Sequence, residues 1–448
     1  MNASDKERAL LDLALTHAKR CGAEAAEASV WSRESLSVDV RLGALESVER
    51  EESMGLSVRV LVGRRQSGAS MASLAPDAAR TMIERLISMA KLAPEDPFTG
   101  LLDPALLAGA ERPDLALYDP TCLSPAAMEQ MAREAEAVAL ETPEIVNSAG
   151  AGVSWASSAF ACANSNGFYG ESRASRSSIG VAVVAERDGA KERDGEGRAE
   201  RWLEDLPTPQ AIGRIAGERA ARRLGARKIE SRRAPIIFEN RGAGSLFGGF
   251  FGAISGPAVA RGVSFLREHL GQRVFPQGFE VRNDPLLLRG AASHAFDGEG
   301  MAARARLLIE DGALTGWLLN SASARQLQMQ PTGDATFGDG GAPGVSVSNV
   351  IVRPGEASLA QLMADAGEGL LVCETFSPSL NRNSGDYSVG VAGFWFEGGA
   401  LAYPVNEVTI AGNLKDWYAR LIPGADVERR GAISSPSLLV DDVAIAGL

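Results

Sequence analysis

The sequence has few of the side chains from which metal and redox sites are usually built. Its 448 residues include three histidines, and its four cysteines, Cys21, Cys122, Cys162 and Cys373, show no CxxC spacing. No two histidines have the spacing of a helical metal site, and neither an HExxH zinc helix nor a GxSxG nucleophile elbow occurs. We therefore expect no resident metal or other cofactor, and free thiols in a reducing, cytoplasmic environment.

Long apolar runs and an excess of positive charge are also missing. No window approaches 18 uninterrupted apolar residues, which predicts no membrane span. Residues 1–21 predict an amphipathic helix with no apolar core of a signal peptide. The chain has 45 Lys and Arg against 57 Asp and Glu, a net charge of −12. Nucleic-acid binding needs a basic footprint, so neither a membrane nor a nucleic acid is an expected partner.

The N-terminal part predicts a module of helices around an antiparallel sheet. After the first helix, "SLSVDVRL" and "GLSVRVLV" alternate apolar and polar residues, and the intervening "ALESVERE" is typical of a partly exposed strand. A closing helix begins near Pro76.

The same order of elements then repeats. A helix is predicted with Ser124 as N-cap and Pro125 next, and a later one with Thr208 as N-cap. Between them lie the predicted strands "AGVSWASSAFACANS", "GFYGES" and "SSIGVAVVAE". Residues 186–201 mix both charge signs and predict a solvated hairpin tip or mobile loop. The fold class is thus α+β, with a duplicated helix and antiparallel-sheet region at the N-terminal end.

From residue 231 the sequence predicts a β-rich C-terminal domain. Asp311-Gly312 and Gly398-Gly399, each between apolar arms, predict tight hairpins. A glycine-rich segment over 331–344 lies between them and is too long for a simple connector. The predicted domains are residues 1–115, 116–230 and 231–448.

Two groups of polar residues in this domain are candidates for chemistry. His294, Asp297 and Glu299 could hold a metal or act as acid and base, or could simply satisfy backbone groups. "NSGDYSVG" offers Ser384 or Ser388 as a nucleophile beside Asp386, with no histidine nearby in sequence.

The stretch "RGAGSLFGGFFGAISGP" combines six glycines with apolar residues. It does not have the spacing of a phosphate-binding loop. Each glycine inside a helix costs about 1 kcal/mol relative to alanine, so several together predict close packing against another backbone. On this hypothesis Gly248, Gly249 and Gly252 face a dense interior, and Gly252→Leu is destabilising.

Four segments resemble the TldD/PmbA family, and the resemblance is closest to its PmbA (TldE) branch. They read "RGAGSLFGGFFGAISGPAVARGVSFL", "FDGEGMAARARLLIEDGALTGWLLNSASAR", "GDYSVGVAGFWFEGGALAYPVNEVTIAGNLKDW" and "SLLVDDVAIAG". The resemblance implies a cytoplasmic bacterial protein in a heteromeric metalloprotease, with unfolded or short peptides as substrates. An older description of the family is modulator of DNA gyrase.

TldD-type subunits carry HExxxH and a late cysteine as their zinc motif. The resemblance places the two histidines on Gly248 and Ala253, the glutamate on Gly249 and the cysteine at about Ser435. Glycine and alanine offer no ligand atom, and a serine hydroxyl is a poor zinc ligand. The resemblance therefore implies a subunit without catalytic zinc that needs a TldD-type zinc-bearing partner. A homo-oligomer, a stand-alone hydrolase and an anion-binding module stay open as alternatives.

Overall fold

The computed structural model describes residues 5–338 and 340–448. Residues 1–4 of the predicted first helix, and position 339 of the glycine-rich segment, lie outside the described residues. The α-helices are α1 (Asp5–Arg20), α2 (Pro76–Leu92), α3 (Pro125–Leu140), α4 (Pro209–Arg222), α5 (Asn240–Ala243), α6 (Phe247–Ala253), α7 (Gly256–Ala260), α8 (Ser321–Leu327), α9 (Leu359–Ala366) and α10 (Leu414–Tyr418).

The strands run through the whole described chain and build both the N-terminal and the C-terminal parts. They are β1 (Ala25–Arg41), β2 (Ala44–Val62), β3 (Arg65–Met71), β4 (Ile145–Asn164), β5 (Tyr169–Arg187), β6 (Ala190–Glu200), β7 (Arg232–Phe238), β8 (Val281–Asn283), β9 (Arg306–Glu310), β10 (Ala313–Leu314), β11 (Val350–Val352), β12 (Glu368–Leu380), β13 (Asp386–Glu397), β14 (Ala400–Asn413), β15 (Ile422–Pro423), β16 (Ile433–Ser434) and β17 (Leu438–Ala446).

The duplicated N-terminal layout is confirmed, and the two copies share one sheet. The strand order is β3-β2-β1-β4-β5-β6, and every neighbouring pair is antiparallel. Each copy contributes three consecutive strands, and the β1–β4 pairing joins them. Helices α1 and α2 cover the apolar face of the first copy, while α3 and α4 cover that of the second.

Local sequence signals set the helix starts as predicted. The Ser124 hydroxyl accepts a hydrogen bond from the backbone N–H of Ala127, and Thr208 does the same for Ala211. Proline occupies the first turn of α2, α3 and α4, where its missing N–H costs nothing.

The strands are longer than the predicted segments, and one of the two alternatives predicted for residues 186–201 was wrong. "ALESVERE" and "GLSVRVLV" lie in the single strand β2, and "SSIGVAVVAE" joins the last four residues of "GFYGES" in β5. The charged stretch 186–201 contains the predicted hairpin tip at Asp188-Gly189 but is no mobile loop, because Glu186 and Arg187 end β5 and Ala190–Glu200 form strand β6. Glu196 on β6 is buried and pairs with Arg219 and Arg430. Part of this charged stretch is therefore paired and buried, while Lys191 and Arg193 stay exposed.

The C-terminal part contains a closed barrel and a smaller sheet. The barrel strands are ordered β14-β13-β12-β7-β17, and β17 pairs back to β14 through Thr409 and Ala446. Its interior residues belong to the large apolar cluster that also includes α6. The smaller sheet has the order β10-β9-β8-β11-β16.

Both predicted tight turns are present. Asp311 and Gly312 have φ of 47° and 79°, and Gly398 and Gly399 have φ of 54° and 85°. Positive φ at both central residues is the requirement of the hairpin turn that these sequences favour. None of the helices formed by residues 5–338 and 340–448 is long and apolar enough to span a membrane.

Helices α3 and α4 pack closely at Gly213, and a substitution at this position tests that packing. A Cβ at Gly213 would lie 2.2 Å from the carbonyl oxygen of Ala135, a backbone atom that cannot rotate away. We expect Gly213→Leu to destabilise the protein by about 1–3 kcal/mol or more, as overpacking does. The matched control is Arg214→Leu at the exposed neighbouring position. Thermal unfolding of both variants measures this, and equal melting temperatures would contradict the packing described.

Candidate functional site

The glycine-rich stretch is a chain of short helical turns at one side of the barrel. Helix α5, a 3₁₀ turn over Gly244–Leu246, α6 and α7 follow one another. Helix α6 ends where Ile254 reaches φ −90° and ψ 4°, and the Ser264 hydroxyl donates to the carbonyl of Ala253 at 2.6 Å. The stretch is thus neither a phosphate loop nor one continuous helix.

An aromatic layer holds α6 in place. Phe247 and Phe250 are fully buried, and their rings contact Phe275 with centroid distances of 6.3 and 5.4 Å. The Tyr418 ring lies 5.0 Å from that of Phe275, and its hydroxyl donates to the carbonyl of Leu246 at 2.9 Å. Burial raises the pKa of this phenol far above its usual range, so it stays protonated and keeps donating. Packing on this side offsets the poor helix propensity of the glycines.

The opposite face of α6 lines an open groove with a volume of about 230 Å³. Gly248 and Gly252 are exposed, and a Cβ at either position would have no atom within 4 Å. The close-packing hypothesis was therefore wrong for these two glycines, because they face space. It holds for Gly249, where a Cβ would lie 2.5 Å from Leu414 Cδ1. The groove is lined by Ser245, Gly248, Gly249, Gly252, Ala253, Val263, Phe265, Thr375, Pro378, Leu380, Arg382 and Tyr387.

Three of the four positions implied by the zinc-motif resemblance line this groove together. Gly248, Gly249 and Ala253 contribute only main-chain atoms and one methyl group to its wall. Ser435 is buried outside the lining, and its hydroxyl donates to the carbonyl of Pro436 at 2.9 Å. These residues do not fit a zinc ion, since no side-chain nitrogen, sulfur or carboxylate stands at any of the four positions.

His294, Asp297 and Glu299 do not converge on one point. His294 and Asp297 line one cavity of about 240 Å³, while Glu299 lines a separate space of about 30 Å³, room for about one water molecule. Asp297 accepts hydrogen bonds from the backbone N–H groups of Glu299, Met301 and Ala335. This geometry supports the interpretation that Asp297 satisfies backbone groups in its loop.

Glu299 lies where the C-terminal part meets the N-terminal sheet. Its carboxylate accepts bonds from the backbone N–H and hydroxyl of Ser321 at 2.8 and 2.9 Å. The same small space is lined by the buried Arg59 and the half-buried Glu27, which form an ion pair. Burial, with the nearby Asp297 carboxyl adding to it, raises the pKa of Glu299 to about 7. Burial likewise raises the pKa of Asp297 to about 6.

The Ser384 region is organised as a turn. The Ser384 hydroxyl donates to Asp386 at 2.6 Å, and Asn413 donates to the other carboxylate oxygen at 3.0 Å. These bonds hold the pKa of Asp386 below its usual range. Among the hydrogen bonds of the described residues, none joins Ser384 to a histidine that could accept its proton. Ser388 lies on β13, opposite Ser379 and Ala411.

One polar cluster was missed by reasoning from the sequence. Within the described ranges, His17, Cys21 and Glu84 are the group of potential metal ligands whose donor atoms lie within 4.8 Å of one another. Histidine spacing alone does not reveal this group, because only one of its three members is a histidine. His17 and Cys21 are four residues apart on one helical face, which is a readable signal.

The overall architecture is shared with solved structures. A Bacteroides thetaiotaomicron protein described as a modulator of DNA gyrase superposes with a TM-score of 0.91 at 25% identity, over 99% of this chain and 100% of that one. TldE from Thermococcus kodakarensis superposes with a TM-score of 0.86 at 19% identity, over 98% and 100%, a likeness of fold alone.

Sequence relatives cover nearly the whole chain. Metalloprotease PmbA of Escherichia coli O157:H7 is 36% identical over 95% of this chain and 92% of its own length. The PmbA homolog of Haemophilus influenzae is 34% identical over 100% and 98%. Profiles of the PmbA/TldA metallopeptidase domain 1, central domain and C-terminal domain match residues 26–90, 118–224 and 231–447.

The duplicated sheet, the barrel and the groove beside α6 define the class as an α+β protein built from a shared antiparallel sheet and a C-terminal barrel. The matches to all three domain profiles and to the PmbA relatives then settle the family. The chain belongs to the PmbA/TldD family.

Two glycines in this stretch should respond oppositely to substitution. Gly252 faces space, so Gly252→Ala should be neutral or stabilise by up to about 1 kcal/mol through helix propensity. Gly256→Ala should destabilise, since a Cβ there would lie 2.4 Å from Leu319 Cδ2 and 2.7 Å from the carbonyl oxygen of Leu318. Thermal unfolding compares the pair, and a lower melting temperature for Gly252→Ala than for Gly256→Ala would refute the open groove.

Glu299 should make stability depend on pH. Its pKa is about 7 in the folded protein against 4.5 for an ordinary glutamate, so the folded state binds more protons between these values. The folded state is favoured while the Glu299 carboxyl group is protonated. This contribution to the free energy of unfolding is present at low pH and is lost as pH rises through about 7. We expect the melting temperature of Glu299→Gln, relative to the unmutated protein, to increase between about pH 5 and about pH 8. Glu46→Gln, at an exposed position, is the control, and a pH-independent difference for Glu299→Gln would contradict the assignment.

Proposed function

We propose that this chain is a PmbA/TldE-type subunit of a heteromeric cytoplasmic peptidase and does not itself hold the catalytic zinc. The observation that carries the proposal is the face that α6 presents to the groove. Gly248, Gly249 and Ala253 lie there, and none has a side-chain atom that could ligate zinc or act as a base. Ser435 cannot compensate, because it is buried outside the groove lining with its hydroxyl turned to Pro436.

The groove suits an extended peptide. Its walls are largely apolar, with Val263, Phe265 and Leu380, and Arg382 lies exposed at the rim. Within the described residues Arg382 has no ion-pair partner, so its guanidinium is available to a peptide carbonyl or carboxylate. We infer that unfolded or short peptides are the substrates.

A free strand edge beside the groove supports the same substrate class. Strand β12 pairs with β7 only over Leu370–Val372, while its pairing with β13 continues to Leu380. In the part of the chain that the structure describes, the other edge of β12 beyond Val372 has no strand partner. Extended peptides commonly bind by adding a strand to such an edge. Pro378, which lacks an N–H, limits this edge to the residues before it.

The partner in this proposal is a TldD-type subunit that carries the zinc ligands. This chain would complete and stabilise that subunit and would line part of the substrate chamber. The family relation supports a partner of the same fold, which also makes a homo-oligomer an alternative assembly. Neither a nucleic acid nor a membrane is part of the proposed function.

Reconstitution tests the proposal. The isolated chain should not cleave unfolded peptides, whereas the mixture with a TldD-type partner should cleave them and should lose activity with a chelator. Filling the groove by Gly252→Phe should lower peptide cleavage by the mixture and leave folding intact, since this position faces space. Arg214→Ala, exposed on α4 outside the groove lining, is the control.

Two results would contradict the proposal. Cleavage by the isolated chain in the presence of chelator would favour the stand-alone hydrolase, with Ser384 or Ser388 as the first residues to mutate. Full activity of the partner alone, unchanged by adding this chain, would remove its role in a heteromeric peptidase.

A further inference from the structure

A second site, separate from the groove, lies where α1 and α2 pack side by side in the first N-terminal module. His17 is on α1, and Cys21 follows one turn later, with its N–H donating to the carbonyl of His17 at 3.0 Å. This bond continues the helical geometry and keeps both side chains on one face. Glu84 reaches the same point from α2.

Two of the three donor–donor distances match those of a tetrahedral metal site, and all three donor atoms lie within 4.8 Å of one another. His17 Nε2 lies 3.1 Å from Glu84 Oε1 and 3.5 Å from Cys21 Sγ. With zinc at about 2.3 Å from sulfur and about 2.0–2.1 Å from nitrogen and oxygen, tetrahedral angles give separations of about 3.3 Å for N and O and about 3.6 Å for N and S. The three side chains are thus already arranged around a position that one ion could occupy.

The two contacts of His17 Nε2 cannot both be strong hydrogen bonds. His17 Nε2 carries either one proton or one lone pair, yet two polar atoms approach it. If Nε2 donates to Glu84, the Cys21 thiol cannot also donate to Nε2. If Nε2 accepts from Cys21, its lone pair faces the Glu84 carboxylate. A cation bound to all three atoms removes this conflict.

We propose that His17, Cys21 and Glu84 bind one divalent ion of the zinc class, with water as the fourth ligand. An imidazole, a thiolate and a carboxylate are the ligands that zinc accepts, and the thiol would release its proton on binding. The Glu84 side chain is 60% exposed, so an ion and its water can enter from solvent. The bound ion would link α1 to α2 and stabilise the first module.

Cobalt and zinc titrations of the full-length chain test this site. The chain is stripped with chelator, dialysed, kept reduced with a phosphine and titrated with Co²⁺ and then Zn²⁺. We expect one equivalent of Co²⁺ with a thiolate-to-cobalt charge-transfer band, which Zn²⁺ displaces, and a higher melting temperature with Zn²⁺. Cys21→Ser should lose the band, Glu84→Gln should weaken binding, and Cys122→Ser, at an exposed cysteine outside the cluster, should behave as the unmutated chain.

Either of two outcomes overturns the proposal: no saturable binding by the reduced chain, or a charge-transfer band that persists in Cys21→Ser. Melting the metal-free variants beforehand separates loss of the site from loss of folding. Glu84→Gln changes an exposed side chain and provides a readout even if Cys21→Ser folds poorly. The result is independent of the groove, because these three residues do not line it.

Discussion

The groove beside α6 depends on the aromatic layer that packs against this helix. Without that packing the helix would be unstable, because its sequence has low helix propensity. Three of the seven residues of α6 are glycines, and each weakens an isolated helix by about 1 kcal/mol. Burial of Phe247 and Phe250 against Phe275 and Tyr418 offsets this cost and fixes which face of the helix turns outward. The residues of α6 that line the groove are then three glycines and one alanine, and the groove stays open because they contribute only one methyl group.

Charged contacts hold the N-terminal sheet against the C-terminal part that contains the groove. Glu196 on β6 pairs with Arg430, and Asp194 pairs with Arg241 at the start of the glycine-rich stretch. These groups are largely buried, so removing one partner would leave an uncompensated charge, which is far more costly than losing an exposed pair. The position of the stretch is therefore tied to the N-terminal sheet as well as to the barrel.

Sequence patterns predicted where helices and turns lie better than they predicted which side chains become buried or face the groove. Caps such as Ser124 and turns such as Gly398-Gly399 are local, so the chain itself specifies them. The burial of Glu196 could not be predicted, because its partner Arg430 lies 234 residues away. The glycines of α6 are likewise hard to interpret from local sequence. Close packing is the sequence-based expectation, but the groove in front of Gly252 is formed by residues of β12 and β13, which are distant in sequence. The division into residues 1–115, 116–230 and 231–448 stays a prediction.

We propose that α6 is held by aromatic packing and offers no zinc ligands to the groove. Elemental analysis of the purified Cys21→Ser variant tests this most directly, because that variant lacks the proposed site on α1 and α2. The account predicts no stoichiometric zinc in this variant, alone or after incubation with zinc and gel filtration. One tightly held zinc per chain would contradict it, and loss of that zinc on mutating His294, Asp297 or Glu299 would place a metal site there instead.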